Sequence, residues 1–229
     1  MSVAAPIQLA GNRLMLDPAG ALWWPDRHLL AVADLHLEKG SACAARGNLV
    51  PPWDTRATLD RLAVLLRRYA PRVVIALGDS FHDTDGAGRL MAADAARLHA
   101  MATAHHFVWL MGNHDPVPAD GIPGTAAEWW EADGVVFRHQ AGGRGPEICG
   151  HHHPKASVMT RAQTITRPCF VAGPQRLMLP AFGAFTGGLD VRHPAIAGLF
   201  PRGGRAFLLG RERLFAFALG QAAVLQTIS

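Results

Sequence analysis

Val73-Val74-Ile75-Ala76-Leu77-Gly78-Asp79 is a run of five apolar residues closed by a glycine and a carboxylate. A run this short and this continuous suits a strand buried on both faces, as in a parallel sheet. The glycine lets the backbone turn tightly, so the aspartate is delivered at the rim of the sheet. Leu29 to Ala33 ends in the same way at Asp34-Leu35-His36, and Phe107 to Met111 ends at Gly112-Asn113-His114-Asp115. The intervals read as helices. Asp54, after Pro51-Pro52, reads as an N-cap, and Leu59, Leu62, Ala63 and Leu66 form an apolar stripe behind it. Leu90 to Thr103 is alanine-rich and reads as a second helix. Strand, helix, strand, helix, strand, with a polar motif after each strand, is the pattern of a layered α/β fold. Sites in such folds gather outside the carboxyl ends of the strands.

Outward from this unit the pattern changes. Ile7 to Leu16 reads as a hairpin turning at Gly11-Asn12. Beyond residue 130 the apolar runs are short: Val135–Phe137, Glu147–Cys149, Cys169–Ala172, Arg176–Leu179, Ala206–Leu209, Leu214–Leu219 and Ala222–Ile228. Glycine and proline separate most of them. They predict a second, mostly antiparallel sheet facing the first, with helices outside. Nothing reads as a linker, so residues 1–229 are expected to form one domain.

The 229 residues are 49% hydrophobic and only 17% charged, which excludes a disordered chain. No apolar stretch nears the roughly 20 residues that cross a bilayer, and the first residues lack the pattern of a signal peptide. Cys43, Cys149 and Cys169 are odd in number and form no CxxC. They read as free thiols of a reducing cytoplasm. The net charge of +4 is carried almost wholly by arginine, since Lys39 and Lys155 are the only lysines. Mild basicity suits a polyanionic partner, although the arginines are scattered.

The chemistry lies in the polar motifs, to which Gly150-His151-His152-His153 adds a fourth. Carboxylate, imidazole and amide oxygen are ligands for divalent cations of the hard-to-borderline kind. Asp34 and His36 are two apart, as are His151 and His153, and alternate residues of an extended or turning backbone point the same way. Asp79 has two oxygens with which to bridge a pair of ions. Lone histidines such as His28, His99, His105, His106 and His193 read as structural, and His152 should point away from its neighbours. Trp23-Trp24 and Trp129-Trp130 have rings that stack on nucleobases, but core or loop packing explains them more simply. No Gly-x-Ser-x-Gly elbow, Walker A loop or deaminase zinc pattern occurs.

In order, Asp-x-His, Gly-Asp, Gly-Asn-His-Asp and Gly-His-x-His resemble the motifs of the calcineurin-like metallophosphoesterases, over about residues 29–154. The family's lone histidine between the third and last motifs is matched by His139. The resemblance implies a four-layer αββα sandwich of two mixed sheets. It implies one ion on Asp34, His36, Asp79 and His153, and a second on Asp79, Asn113, His139 and His151. Hydrolysis would proceed by a metal-bound hydroxide between two ions, with His114 as proton donor and Asp115 orienting its ring. Mn²⁺ is the expected metal, with Fe²⁺ or Zn²⁺ as alternatives.

A narrower likeness, to the ligase-associated DNA-damage-response endonuclease (PdeM) branch, rests on further stretches: residues 54–59, Gly78-Asp79-Ser80-Phe81-His82, residues 150–154, residues 167–170 and Leu179 to Gly188. It extends the similarity to about Val191 and implies a DNA nuclease of repair, working alongside DNA ligase and helicase. The segments outside the metal motifs are expected to complete the second sheet. Two departures from the broad pattern stand out. His82 takes a slot often filled by Asp or Asn, and is a candidate substrate contact. His139 is followed by Gln140 and not by an acid. The alternatives are a small-substrate phosphatase or nucleotide phosphodiesterase, and an inactive scaffold of the same fold.

Overall fold

The computed structural model describes residues 3–115, 121–143, 145–159, 163–220 and 226–227. The first sheet has seven strands in chain order: β1 (Ala5–Leu9), β2 (Asn12–Leu16), β3 (Leu22–Trp24), β4 (Leu29–Val32), β5 (Val73–Leu77), β6 (His106–Leu110) and β7 (Thr125–Ala127). β1 to β4 pair antiparallel, and β4 to β7 pair parallel. Helices α1 (Lys39–Ala45), α2 (Asp54–Tyr69), α3 (Gly86–Arg89) and α4 (Ala92–Ala104) occupy the crossovers.

The three central runs are continuous because both their faces are covered. Leu30, Val32, Val74, Ala76 and Phe107 turn toward the helices, where they meet Leu59, Leu62, Leu66 and Leu98. Leu29, Ala31, Ile75, Leu77, Val108 and Leu110 turn the other way, into the core between the sheets. Burying each such leucine stabilises the fold by roughly 1.5–3 kcal/mol.

The second sheet contains β8 (Trp129–Ala132), β9 (Val135–Arg138), β10 (Glu147–Cys149), β11 (Lys155–Met159), β12 (Thr164–Ala172), β13 (Arg176–Met178), β14 (Arg205–Leu209), β15 (Leu214–Ala218) and β16 (Gln226–Thr227), with α5 (Pro194–Ala197) before β14. The order is β16-β15-β14-β12-β13-β10-β9-β8, and β11 pairs with β12. β10 runs parallel to β9 and β13, and the other pairs are antiparallel, so this sheet is mixed as well. Its inner face sends Val135, Phe137, Ile148, Phe170, Leu177 and Phe207 against the first sheet. Its outer face is covered by Val158, Val191, Ile196 and Phe200, so the fourth layer is slender, with the four-residue α5 as its helix.

Several local expectations shift. The first hairpin turns on Ala10-Gly11, one residue early, with φ of 51° and 79°. Two left-handed residues in a two-residue loop match the twist of the flanking strands. Asp54 does not cap its own helix: its Oδ2 accepts from the N–H of Gly40, in the first turn of α1, at 3.1 Å. β7 and β8 are too short to have been visible as apolar runs, and Lys155 and Ser157 interrupt β11. Of the strand expected over residues 222–228, only Gln226–Thr227 falls among the described residues.

Candidate metal centre

The carboxyl ends of β4, β5 and β6 open on the same rim as the turns after β9 and β10. The Asp34–Leu37 turn pairs with Gly78–Phe81 beyond the end of the β4–β5 ladder. His36 N–H donates to Asp79 C=O at 2.9 Å and Leu37 N–H to Ser80 C=O at 2.9 Å. Of the extended or turning backbone expected at Asp34-x-His36, the turning form is present. Asp34, His36, Asp79, His151 and His153 all have left-handed φ, between 43° and 71°. Such residues cost of order 1–3 kcal/mol each and persist where their surroundings over-determine them, which happens at functional sites.

Two groups of side chains result. Asp34, His36 and His153 bring ligand atoms within 4.8 Å of one another, and so do Asp79, His139 and His151. His36 Nε2 lies 3.1 Å from His153 Nε2, and Asp34 Oδ1 lies 3.4 Å from His153 Nε2. In the second group His139 Nε2 is 3.1 Å from His151 Nδ1 and 2.9 Å from Asn113 Oδ1. Asp79 Oδ2 stands between the groups, 3.8 Å from His36 Nε2 and 3.4 Å from His139 Nε2. All seven expected ligands therefore meet at one place.

The donor set fits divalent cations. Burial first, and then the neighbouring His153, pushes the His36 imidazole down to about 3, so it is neutral, as a ligand must be. Burial opposes the charge of Asp79. The hydrogen bond and charge of His139, with the His114 N–H, outweigh it and hold the carboxyl down at about 2. Burial lowers His151, with His139 and His152 adding to the effect. His139 is also lowered by burial, but its bond to Asp79 and the charges of Asp34 and Asp79 leave it raised overall. Paired imidazole nitrogens at 3.1 Å beside two buried carboxylates are groups that a cation would satisfy together.

The supporting shell is tight. Asp34 accepts the N–H of His151 at 3.0 Å, and Asp79 Oδ1 accepts the N–H of His114 at 2.9 Å. His139 Nδ1 is 2.9 Å from the C=O of Leu77. A Cβ on Gly112 would fall 2.1 Å from Asp79 Oδ1, so no other residue fits there. The Leu179–Gly188 stretch does not simply extend the second sheet. It crosses to the first sheet, where Phe182 N–H donates to Ala33 C=O at 2.8 Å and Gly183 N–H to Asp34 C=O at 3.0 Å. This buttress against the Asp34 turn carries no periodicity in the sequence.

His114 and Asp115 part company. His114 Nδ1 lies 2.9 Å from the C=O of His82 and Nε2 lies 3.9 Å from Asp79 Oδ2, so the ring faces the centre. Asp115 does not orient that ring. Its Oδ2 accepts the N–H groups of Ser80 (2.6 Å) and Phe81 (3.1 Å), binding the third motif to the second. Burial, with the nearby Asp79 charge, pushes its carboxyl up to about 6. The physical reason is competition: two backbone donors lie at hand, and the His82 carbonyl already holds the imidazole. His82 itself stacks on His114 with ring centroids 5.4 Å apart. Burial lowers its pKa, as do the charges of Lys39, His114 and Arg46.

Of the remaining histidines, His105 meets the Pro71 carbonyl, His106 meets Thr125, and His193 caps α5. His152 stays out of both groups. Cys149 and Cys169 are buried free thiols, raised by burial.

The family model of calcineurin-like phosphoesterases matches residues 27–172. The chain belongs to the calcineurin-like phosphoesterase family. That match takes in every candidate ligand of the phosphoesterase centre. Among solved structures the phosphoesterase resembles the Pseudomonas putida nuclease MPE, at 29% identity and a TM-score of 0.72, over 93% of this chain and 100% of that one. Among curated proteins none matches. No helix among the described residues is long and apolar enough to cross a membrane.

Proposed function

We propose that this phosphoesterase is a dinuclear phosphodiesterase acting on DNA, an endonuclease of repair, with Mn²⁺ as its preferred metal. The observation that carries the reading is Asp79 Oδ2 standing between two histidine–carboxylate groups. Asp34, His36 and His153 would hold one cation, Asn113, His139 and His151 the other, and Asp79 both. Two cations held there would supply Lewis acidity for the hydrolysis of a phosphate ester.

The chain's own groups do the rest. His114 is held by the His82 carbonyl with Nε2 toward the centre, placed to give a proton to the leaving oxygen. Asp115 keeps the two motif loops in register. Lys39 adds positive charge near His82, which suits a phosphate chain, while Asp83 offsets Arg46 there. The likeness to a nuclease along that protein's full length supports a nucleic-acid substrate, as does the net charge of +4. The repair setting rests on the branch resemblance.

The test is hydrolysis of a chromogenic phosphodiester and of an oligonucleotide by one preparation. Both activities should vanish with chelator and return with Mn²⁺. Oligonucleotide cleavage should weaken as salt rises, because phosphate contacts release counterions. A higher kcat/KM on a phosphomonoester than on either diester would replace this reading with a phosphatase.

A further inference from the structure

The two sheets meet at their edges beside the metal centre. Among the described residues β7 is the edge of the first sheet and β8 the edge of the second, and Glu128 alone joins them. In the β8–β9 register Trp130 lies opposite Phe137 and Trp129 opposite Arg138. Alternation sends the first pair to the core and the second pair outward. Trp130 accordingly packs against the inter-sheet core, while Trp129 is 54% exposed. The packing expected of all four paired tryptophans holds for the others. Trp24 is buried against Phe137, and Trp23 stacks on Tyr69 at 4.9 Å.

Trp129 is not merely a stray surface ring. With Glu128, Arg138 and Gln140 it walls a groove of about 360 Å³ that is also lined by the metal-site residues Asn113 and His139. That volume is at the lower end of the roughly 300–1,000 Å³ usual for small-ligand sites. Arg138 brings a cation to the same wall. Its Nε is buried, without a hydrogen-bond partner among the described residues, and lies 3.4 Å from Glu147 Oε2, a carboxylate that Arg176 also pairs. A bare indole face, an adjoining guanidinium and a phosphate-handling centre lie within one groove. The Glu128 carboxylate repels phosphate from the rest of the groove, leaving the indole for an uncharged flat group.

We infer that Trp129 and Arg138 form a nucleotide subsite: the base next to the reacting phosphate stacks on Trp129, and Arg138 takes the adjoining phosphate. The subsite rests on the phosphodiesterase reading above and adds what that reading lacks, namely where the polymer is gripped. Stacking of this kind tolerates any base, since each presents a π-face.

Kinetics on a small chromogenic diester and on an oligonucleotide, at saturating Mn²⁺, test it. Trp129→Ala should raise KM for the oligonucleotide about 10-fold, leave its kcat nearly unchanged, and cost the small diester less. Trp129→Phe should restore most of the loss. Oligonucleotides carrying one abasic position near the cleaved bond supply the second readout. At one position the missing base should cost the wild type the same factor and cost Trp129→Ala nothing more. Arg138→Gln should reduce the salt dependence of oligonucleotide binding by about one counterion. Equal losses on both substrates, or substitution and abasic losses that multiply at every position, would overturn the subsite. Hydrolysis of the small diester without any cleavage of DNA would overturn it while leaving the diesterase chemistry standing. Hydrolysis of neither would remove both.

Discussion

His114 shows how one residue's role is set by its neighbours. The backbone N–H is spent on Asp79 Oδ1 and the ring Nδ1 is engaged by the His82 carbonyl. Nε2 is left facing the centre, with the side chain 41% exposed. Replacing the ring removes a proton donor and no proposed ligand. His114→Ala should lower kcat on a poor leaving group by about 10²–10⁴-fold, with both metals still bound by elemental analysis. Wild-type turnover in that variant would rule out the proton-transfer role. Asp115 makes the complementary point. Next to a catalytic candidate in the chain, it spends its carboxylate on Ser80 and Phe81 instead, something no reading of Gly-Asn-His-Asp could have shown.

At the scale of elements, α2 carries its stripe as the spacing required, and its last turn has a second attachment. Tyr69 OH donates to the buried Asp17 at 2.5 Å, and Arg68 pairs with the same carboxylate at 2.9 Å. The C-terminal end of α2 is thereby tied to the turn between β2 and β3. Burial first, and then the bond and charge of Asp17, raises the tyrosine pKa, while Arg68 opposes this. The sign follows directly. An unfolded tyrosine loses its proton near pH 10 and the folded one keeps it, so stability falls as pH rises above about 10. Tyr69 is the only tyrosine in the chain, so its ionisation is read without ambiguity by ultraviolet difference absorbance. The midpoint should lie clearly above 10 in the folded protein. In Tyr69→Phe the thermal midpoint should fall less steeply with pH through this range. A midpoint at the ordinary value would mean that the Asp17 bond does not form.

Across the whole molecule, residues from both sheets supply the centre, so cation binding and folding are linked. Each cation, at about 100 times its Kd, should stabilise the fold by about 2.7 kcal/mol. For a chain of this size that raises Tm by roughly 5–10 °C. Asp79→Ala removes the carboxylate placed between the two groups, and the metal-dependent increment should largely disappear. An undiminished increment in the variant would show that the cations bind elsewhere.

The buried parallel strands, the stripe of α2 and the order of the four polar motifs were legible in the sequence. A strand covered on both sides must be continuously apolar, and a cation needs particular donor atoms whatever the fold. The edge strands β7 and β8 were not legible, because runs of three and four residues carry no period, and neither was the Leu179–Gly188 buttress. Contacts among residues far apart in the chain depend on how two sheets are stacked, and that stacking alone brought His151 N–H to Asp34 and left Trp129 bare beside Asn113. The sequence by itself determined which atoms were available to bind; the packing of one sheet on the other decided where they meet, because orientation is a property of the assembled core and not of any local run of residues.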